Sequence, residues 1–236
     1  MSLDPSFVWE ALLKLLEALP TTLAITAVSV GCGFLAGTAI ALVRVWRVPV
    51  LHRLASAWVT VIRGTPMLVH LLVIYAGLTL IVDTVTGRLG LGWNSARIPM
   101  IGFAYLSFSV TASAYCSEVI RSGLLAVDRG QREAALSLGM TTMQTLRRII
   151  FPQALAASVP NLTNFVIGML HGSTLAFVVS VVDINAKAEI VASTNWKFFE
   201  AYLAAAILFW GMTILLERAG GAIERRISRY RKGGVA

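Results

Sequence analysis

The chain has 236 residues, 57% of them hydrophobic and 14% charged, with a formal net charge of +8 and a mean hydropathy of +0.76. Soluble domains carry about 25% charged residues. An apolar surplus of this size exceeds what one soluble core can hide, so a wholly soluble protein is excluded and lipid must solvate much of the chain.

Residues 7–19 place Leu12, Leu13, Leu16 and Leu19 on one helical face, with Glu10 and Lys14 off it. That pattern fits an amphipathic helix on the outer membrane surface, and no signal peptide is evident. The first of five expected spans covers 20–43, close to the ~20 residues that cross ~30 Å of hydrocarbon. Its Gly33 and Gly37 form GxxxG, a spacing that favours close helix packing. The second span covers 64–82 and opens on Arg63, Gly64, Thr65 and Pro66. Proline there removes a donor and clashes with the preceding turn, so the helix must break, and broken helices at membrane depth line cavities. Arg63 reads either as an interfacial anchor or as a gating residue. His70, midway along this span, needs a polar partner and is a candidate contact for a substrate.

The third span covers 98–118 and carries Ser107, Thr111 and Tyr115 at i, i+4 and i+8, which reads as helix packing. It ends on Glu118 and Arg121, three apart and spaced as an ion pair. The loop over 121–151 encodes two short helices. Asp128 with Gln131 has capping-box spacing, Gly139 supplies a left-handed stop, and Thr141 with Gln144 caps the second helix. Such a helix pair, with an apolar ridge and nothing in this chain to bury it against, reads as a docking element.

Pro152 fits the first turn of the fourth span, 152–171. Asn161, Asn164, Gly168 and His171 follow there at helical spacing on one face, with the amides near mid-membrane. Amides are costly in lipid, so this face should point into the bundle. It is the best pocket candidate, with interhelical hydrogen bonding as the alternative. Residues 173–196 follow outside the membrane, their apolar core over 175–182 too short to span. The fifth span covers 198–216, and a basic tail ends the chain.

Fifteen of the twenty Lys and Arg residues fall on one side of these spans: Arg44 to Arg63, Arg121 to Arg148, and Arg218 to Lys232. Only Lys14, Arg88, Arg97, Lys187 and Lys197 fall on the other. The positive-inside rule then puts the N-terminus outside and the C-terminus in the cytoplasm, as five spans require. This clustering assigns the basic excess to lipid rather than nucleic acid. Cys32 and Cys116 have no partner spacing, and His52, His70 and His171 have no ligand spacing, so neither a disulfide framework, a metal site nor a catalytic constellation is expected.

Within the loop, Glu133-Ala134-Ala135, then Gly139, then Ile149-Ile150-Phe151-Pro152 resembles the EAA coupling loop of binding-protein-dependent ABC importers, with Phe151 where leucine is usual. Arg63-Gly64-Thr65-Pro66 and the stretch from Ala114 to Gly123 are similar to the entry and exit motifs of the polar amino acid permeases. The resemblance implies an all-α integral membrane protein of type I importer-like fold, a single permease domain over 1–236 in a bacterial inner membrane. Its coupling residues would be Glu133, Ala134, Ala135, Gly139, Arg147 and Arg148. It further implies a cytoplasmic ATPase pair, a second permease subunit (identical or paralogous) and an extracellular or periplasmic substrate-binding protein. The chain has no GxxxxGK[ST] loop, so ATP and Mg belong to the partner and no cofactor is expected in this chain. A channel subunit, the rival reading, has no need of a docking loop.

For the substrate, the only carboxylate between Thr21 and Ser117 is Asp83, at an outer end, and none lies between Ala134 and Val182. A cationic side chain would find no counter-charge in these spans. Many relatives carry Asn-Glu and Lys-Asp where this chain has Asn164-Phe165 and His171-Gly172, and the stretch from Gly172 to Phe177 looks closest to the cystine-uptake branch. The expected cargo is L-cystine or another neutral polar amino acid. Glutamine or a cationic amino acid is the alternative.

Overall fold

The structure, a computed structural model, describes residues 3–232. The side chains of Arg229, Arg231 and Lys232, part of the basic tail, lie outside the described residues. Every regular element among the described residues is helical. In chain order these are α1 (Pro5–Leu15), α2 (Leu19–Val45), α3 (Leu51–Arg63), α4 (Met67–Arg88), α5 (Met100–Leu125), α6 (Arg129–Ser137), α7 (Thr142–Thr145), α8 (Phe151–Gly172), α9 (Ile184–Ser193) and α10 (Phe198–Lys232).

At the centre of the bundle α2 packs along α5. Gly33 and Gly37 make this approach possible. A Cβ on Gly37 would lie 2.8 Å from the Ser113 carbonyl and 2.9 Å from the Ser117 amide, so any side chain there would force the helices apart. Helices α3, α4 and α8 close on the remaining sides of α5, and α10 packs against α8, α9 and α1.

Among the described residues, four stretches are long and apolar enough to cross a membrane: Pro5–Val45, Met67–Arg88, Thr142–Val179 and Phe198–Ile227. The five-span reading therefore meets a difference at α5. This helix is 26 residues long but is not among the four. Its buried positions include Ser107, Thr111, Ser113 and Ser117 beside Phe103, Phe108 and Ala112. A helix wrapped by other helices contacts little lipid. Small and hydroxylated residues therefore serve it better than leucine, and its average apolarity falls.

One further expectation needs correction. The buried face of α1 is Phe7, Ala11 and Leu15, packed on α9 and α10; of the expected face Leu12 and Leu19 are half-buried against this core, whereas Leu13 and Leu16 are exposed. α1 is thus a packed element of the bundle, tied down by Lys197 to Asp4 and Lys187 to Glu17, each at 2.6 Å. The Lys197 ammonium holds the Asp4 carboxyl well below the usual carboxylate range, and the hydrogen bond from Lys187 lowers that of Glu17. The connection before Pro66 contains the amphipathic helix α3. Val59 and Ile62 of α3 are buried beside Ala114 of α5, while Leu51, Leu54, Trp58 and Val61 are exposed.

Candidate functional site

The break at Arg63-Gly64-Thr65-Pro66 shapes the site. α3 ends at Arg63, Gly64 caps it, Pro66 is extended (φ −64°, ψ 141°), and α4 starts at Met67. The Thr65 hydroxyl donates to the Val61 carbonyl at 2.8 Å and lies 2.5 Å from Nε2 of His70. Nδ1 of His70 lies 2.9 Å from the Thr111 hydroxyl on α5. His70 thus finds the partners it needs, and it braces the broken segment against α5. It is buried, and it is not among the residues that line the cavity beside the break.

Where the start of α4 faces α5 and α8, a cavity of ≈ 470 Å³ opens. Arg63 and Met67 line it from the break, Thr111, Tyr115, Glu118 and Val119 from α5, and Asn161, Asn164, Phe165, Gly168 and Met169 from α8. Three of the four polar or small residues expected on the α8 face are therefore brought together. Gly168 faces open space, so it widens the cavity. His171 is elsewhere: its Nε2 lies 3.1 Å from the Thr213 hydroxyl of α10 and its ring meets Phe209 edge-on. Gly172 adds no room to the cavity, because the Met67 sulfur would lie 2.9 Å from a Cβ there. Thr111 and Tyr115, which read as packing residues, line the cavity, as does Met67, which no sequence pattern singled out.

Glu118 sits at the edge of this cavity in a larger cluster than an i, i+3 pair. Its Oε1 accepts from Arg44 at 2.5 Å, its Oε2 from Arg121 at 2.7 and 3.1 Å, and Arg63 approaches to 4.0 Å. The Arg63 guanidinium also lies over the Tyr115 ring, 5.5 Å from its centroid, a cation–π arrangement. Asp83, the other carboxylate of the early spans, accepts from the Ser95 amide at 2.7 Å and the Ser95 hydroxyl at 2.8 Å, at the far end of α4.

The loop over 121–151 forms a second feature. Asp128 caps α6 through the Gly130 amide at 2.7 Å, while Gln131 accepts from Gln153 at 3.4 Å and so does not complete a capping box. Gly139 adopts φ +80°, and the Met140 amide returns to the Ala135 carbonyl at 3.1 Å, closing the α6 terminus. Thr141 and Gln144 form a reciprocal capping box at 3.2 and 2.9 Å. Ala135 is buried, whereas Glu133, Ala134, Gly139, Arg147 and Arg148 are exposed. Leu138 at 85% and Met143 at 68% exposure present apolar surface with no intrachain cover.

Residues 29–229 match the family described as binding-protein-dependent transport system inner membrane component. The probable amino-acid ABC transporter permease protein PatM of Vibrio harveyi is 35% identical over 97% of this chain and 98% of its own. The L-cystine transport system permease protein TcyL of Bacillus subtilis is 31% identical over 96% of this chain and 92% of its own. Among solved structures, an amino acid ABC transporter with histidines aligns at a TM-score of 0.81 and 35% identity, covering 96% of this chain and all of that one.

Proposed function

This chain belongs to the family of binding-protein-dependent transport system inner membrane components, and on that premise we propose that it passes a neutral polar amino acid, L-cystine first among them, through the cavity between α4, α5 and α8. It is a permease subunit of an amino-acid ABC transporter. It is a membrane component without enzymatic activity of its own; ATP is hydrolysed by a separate subunit, and the family works with a substrate-binding protein.

One observation carries the choice of cargo. Glu118, the single carboxylate lining the cavity, is already held by Arg44 and Arg121. A lysine or arginine side chain would therefore enter without a free counter-charge, at high cost in this setting. Arg63 supplies a cation for the α-carboxylate, Asn161 and Asn164 supply amides for polar ends, and the open side of Gly168 leaves length for a disulfide-linked molecule. Similarity to TcyL agrees with this cargo.

In this reading α5 also crosses the membrane, as the third of five spans, the loop carrying Glu133 and Gly139 docks on the ATPase, and a second permease subunit completes the pathway. The N-terminus lies outside and the C-terminus in the cytoplasm, and transport proceeds by alternating access around the cavity. A second reading, a cationic amino acid or histidine, is favoured by the solved relative with histidines. Competition uptake separates the two. Excess cystine should suppress uptake of the labelled cargo while lysine and arginine leave it unchanged. Block by arginine but not by cystine would overturn the counter-charge argument.

A further inference from the structure

On the far side of the Glu118 cluster from the cavity lies a second, larger cleft of ≈ 840 Å³, formed where the ends of α2 and α5 meet α3 and α6. Arg44, Arg47, Arg121, Arg129 and Arg132 line it, with His52 beside them and Glu133 as its one lining carboxylate. Arg44 and Arg121 share Glu118, and Arg47, Arg129 and Arg132 make no ion pair among the described residues. Five guanidiniums against the carboxylates of Glu118 and Glu133 leave the cleft strongly cationic. Guanidinium forks match phosphate oxygens in a bidentate manner.

The surroundings of the cleft are asymmetric. Arg47, His52 and Arg53 also border an adjoining hollow of ≈ 580 Å³ whose remaining walls, Val48, Pro49, Val50 and Leu54, are apolar. Beside it α3 exposes Leu51, and farther along the same helix Trp58 and Val61. The connecting turn holds Arg47 at φ 51° and Val50 at φ 64°, left-handed conformations that non-glycine residues adopt at a cost. That turn carries Arg47 on the shared edge of the two spaces. A cationic cleft opening on an apolar hollow has the shape of a headgroup site with acyl chains alongside.

The geometry points to a binding site for a phosphate-bearing anion in the cleft of Arg44, Arg47, Arg121, Arg129 and Arg132, with a phospholipid such as phosphatidylglycerol the source that the adjoining apolar wall favours. The site is separate from the cargo cavity and places an anion against α6, the helix that carries Glu133.

The test titrates the full-length chain, purified in a neutral detergent, with three probes: phosphatidylglycerol, phosphatidylcholine and inorganic phosphate. Binding is read by native mass spectrometry. Phosphatidylglycerol should bind saturably, one per chain, and phosphatidylcholine should not. R47Q/R129Q should raise its Kd about thirtyfold, at roughly fivefold for each basic residue near an anionic headgroup. R47K/R129K, which keeps the charge, should stay within about fivefold of the parent and controls for folding. Saturable inorganic phosphate binding that is lost in R47Q/R129Q, without selective lipid retention, would keep the site and assign it to a soluble phosphate. Equal retention of both lipids without phosphate binding, or an unchanged Kd in R47Q/R129Q, would overturn the proposal.

Discussion

Asp183 caps α9 with one oxygen, Oδ1, which accepts from the Ala186 amide at 2.9 Å, while Oδ2 is buried with no hydrogen-bond partner. Burial pushes this carboxyl above its ordinary pKa, against the lowering effect of the backbone amides. The sign of the pH dependence follows. Since the folded pKa exceeds the unfolded one, the folded state binds the proton more tightly, and this group loses stability as pH rises above its unfolded value. D183N keeps a capping side chain without the buried charge. It should be more stable than the parent by on the order of 1 kcal/mol near neutrality, and the gap should shrink toward pH 4. Thermal unfolding of both proteins across that range checks this; a gap independent of pH contradicts it. At this scale the sequence flagged His70 as needing a partner and paired Glu118 with Arg121. It could not supply Arg44 or Thr111, which come from other helices.

Helix α6 and the turn after it were the elements most legible in advance, because their signals are local. A cap, a positive-φ glycine and a capping box each act within a few residues of chain. α3 was the least legible: its charged surroundings masked a short helix whose apolar residues split between α5 and the exposed side. If α6 docks on the ATPase, E133K and G139W should leave the bundle intact, since both positions are exposed. G139W additionally strains the φ +80° turn. Cargo-stimulated ATP hydrolysis by the reconstituted complex should fall at least about tenfold in each, the effect of losing ~1.4 kcal/mol of docking energy. Undiminished stimulated hydrolysis in both would remove the loop from the coupling path.

For the molecule as a whole, the asymmetry of basic residues sets the expected topology. R88C and K187C should react in intact cells with a membrane-impermeant maleimide, and R132C should react only after the cells are opened. Labelling of R132C from outside would invert the orientation and with it the side on which the loop over 121–151 lies. The same experiment bears on α5. Residue 88 precedes that helix and residue 132 follows it, so opposite labelling at these positions requires an odd number of crossings between them.

Hydropathy and the density of arginines determined, without any coordinates, that the chain lives in lipid and which end of each helix is basic. Motif spacing determined the two short helices of the loop over 121–151, because capping and helix termination are short-range effects. Tertiary structure alone decided the rest. Asn161, Asn164 and Gly168 share a cavity while His171 turns to Thr213, although all four lie on one face of α8. Helical periodicity fixes direction around the axis but not what stands opposite at each depth. Ten residues separate Asn161 from His171 by about 15 Å along that axis, enough to exchange the neighbours α4 and α5 for α10. The polar character of α5 has the same origin. A helix enclosed by its own chain is selected for close packing rather than for apolarity, and only the assembled bundle reveals which helix that is.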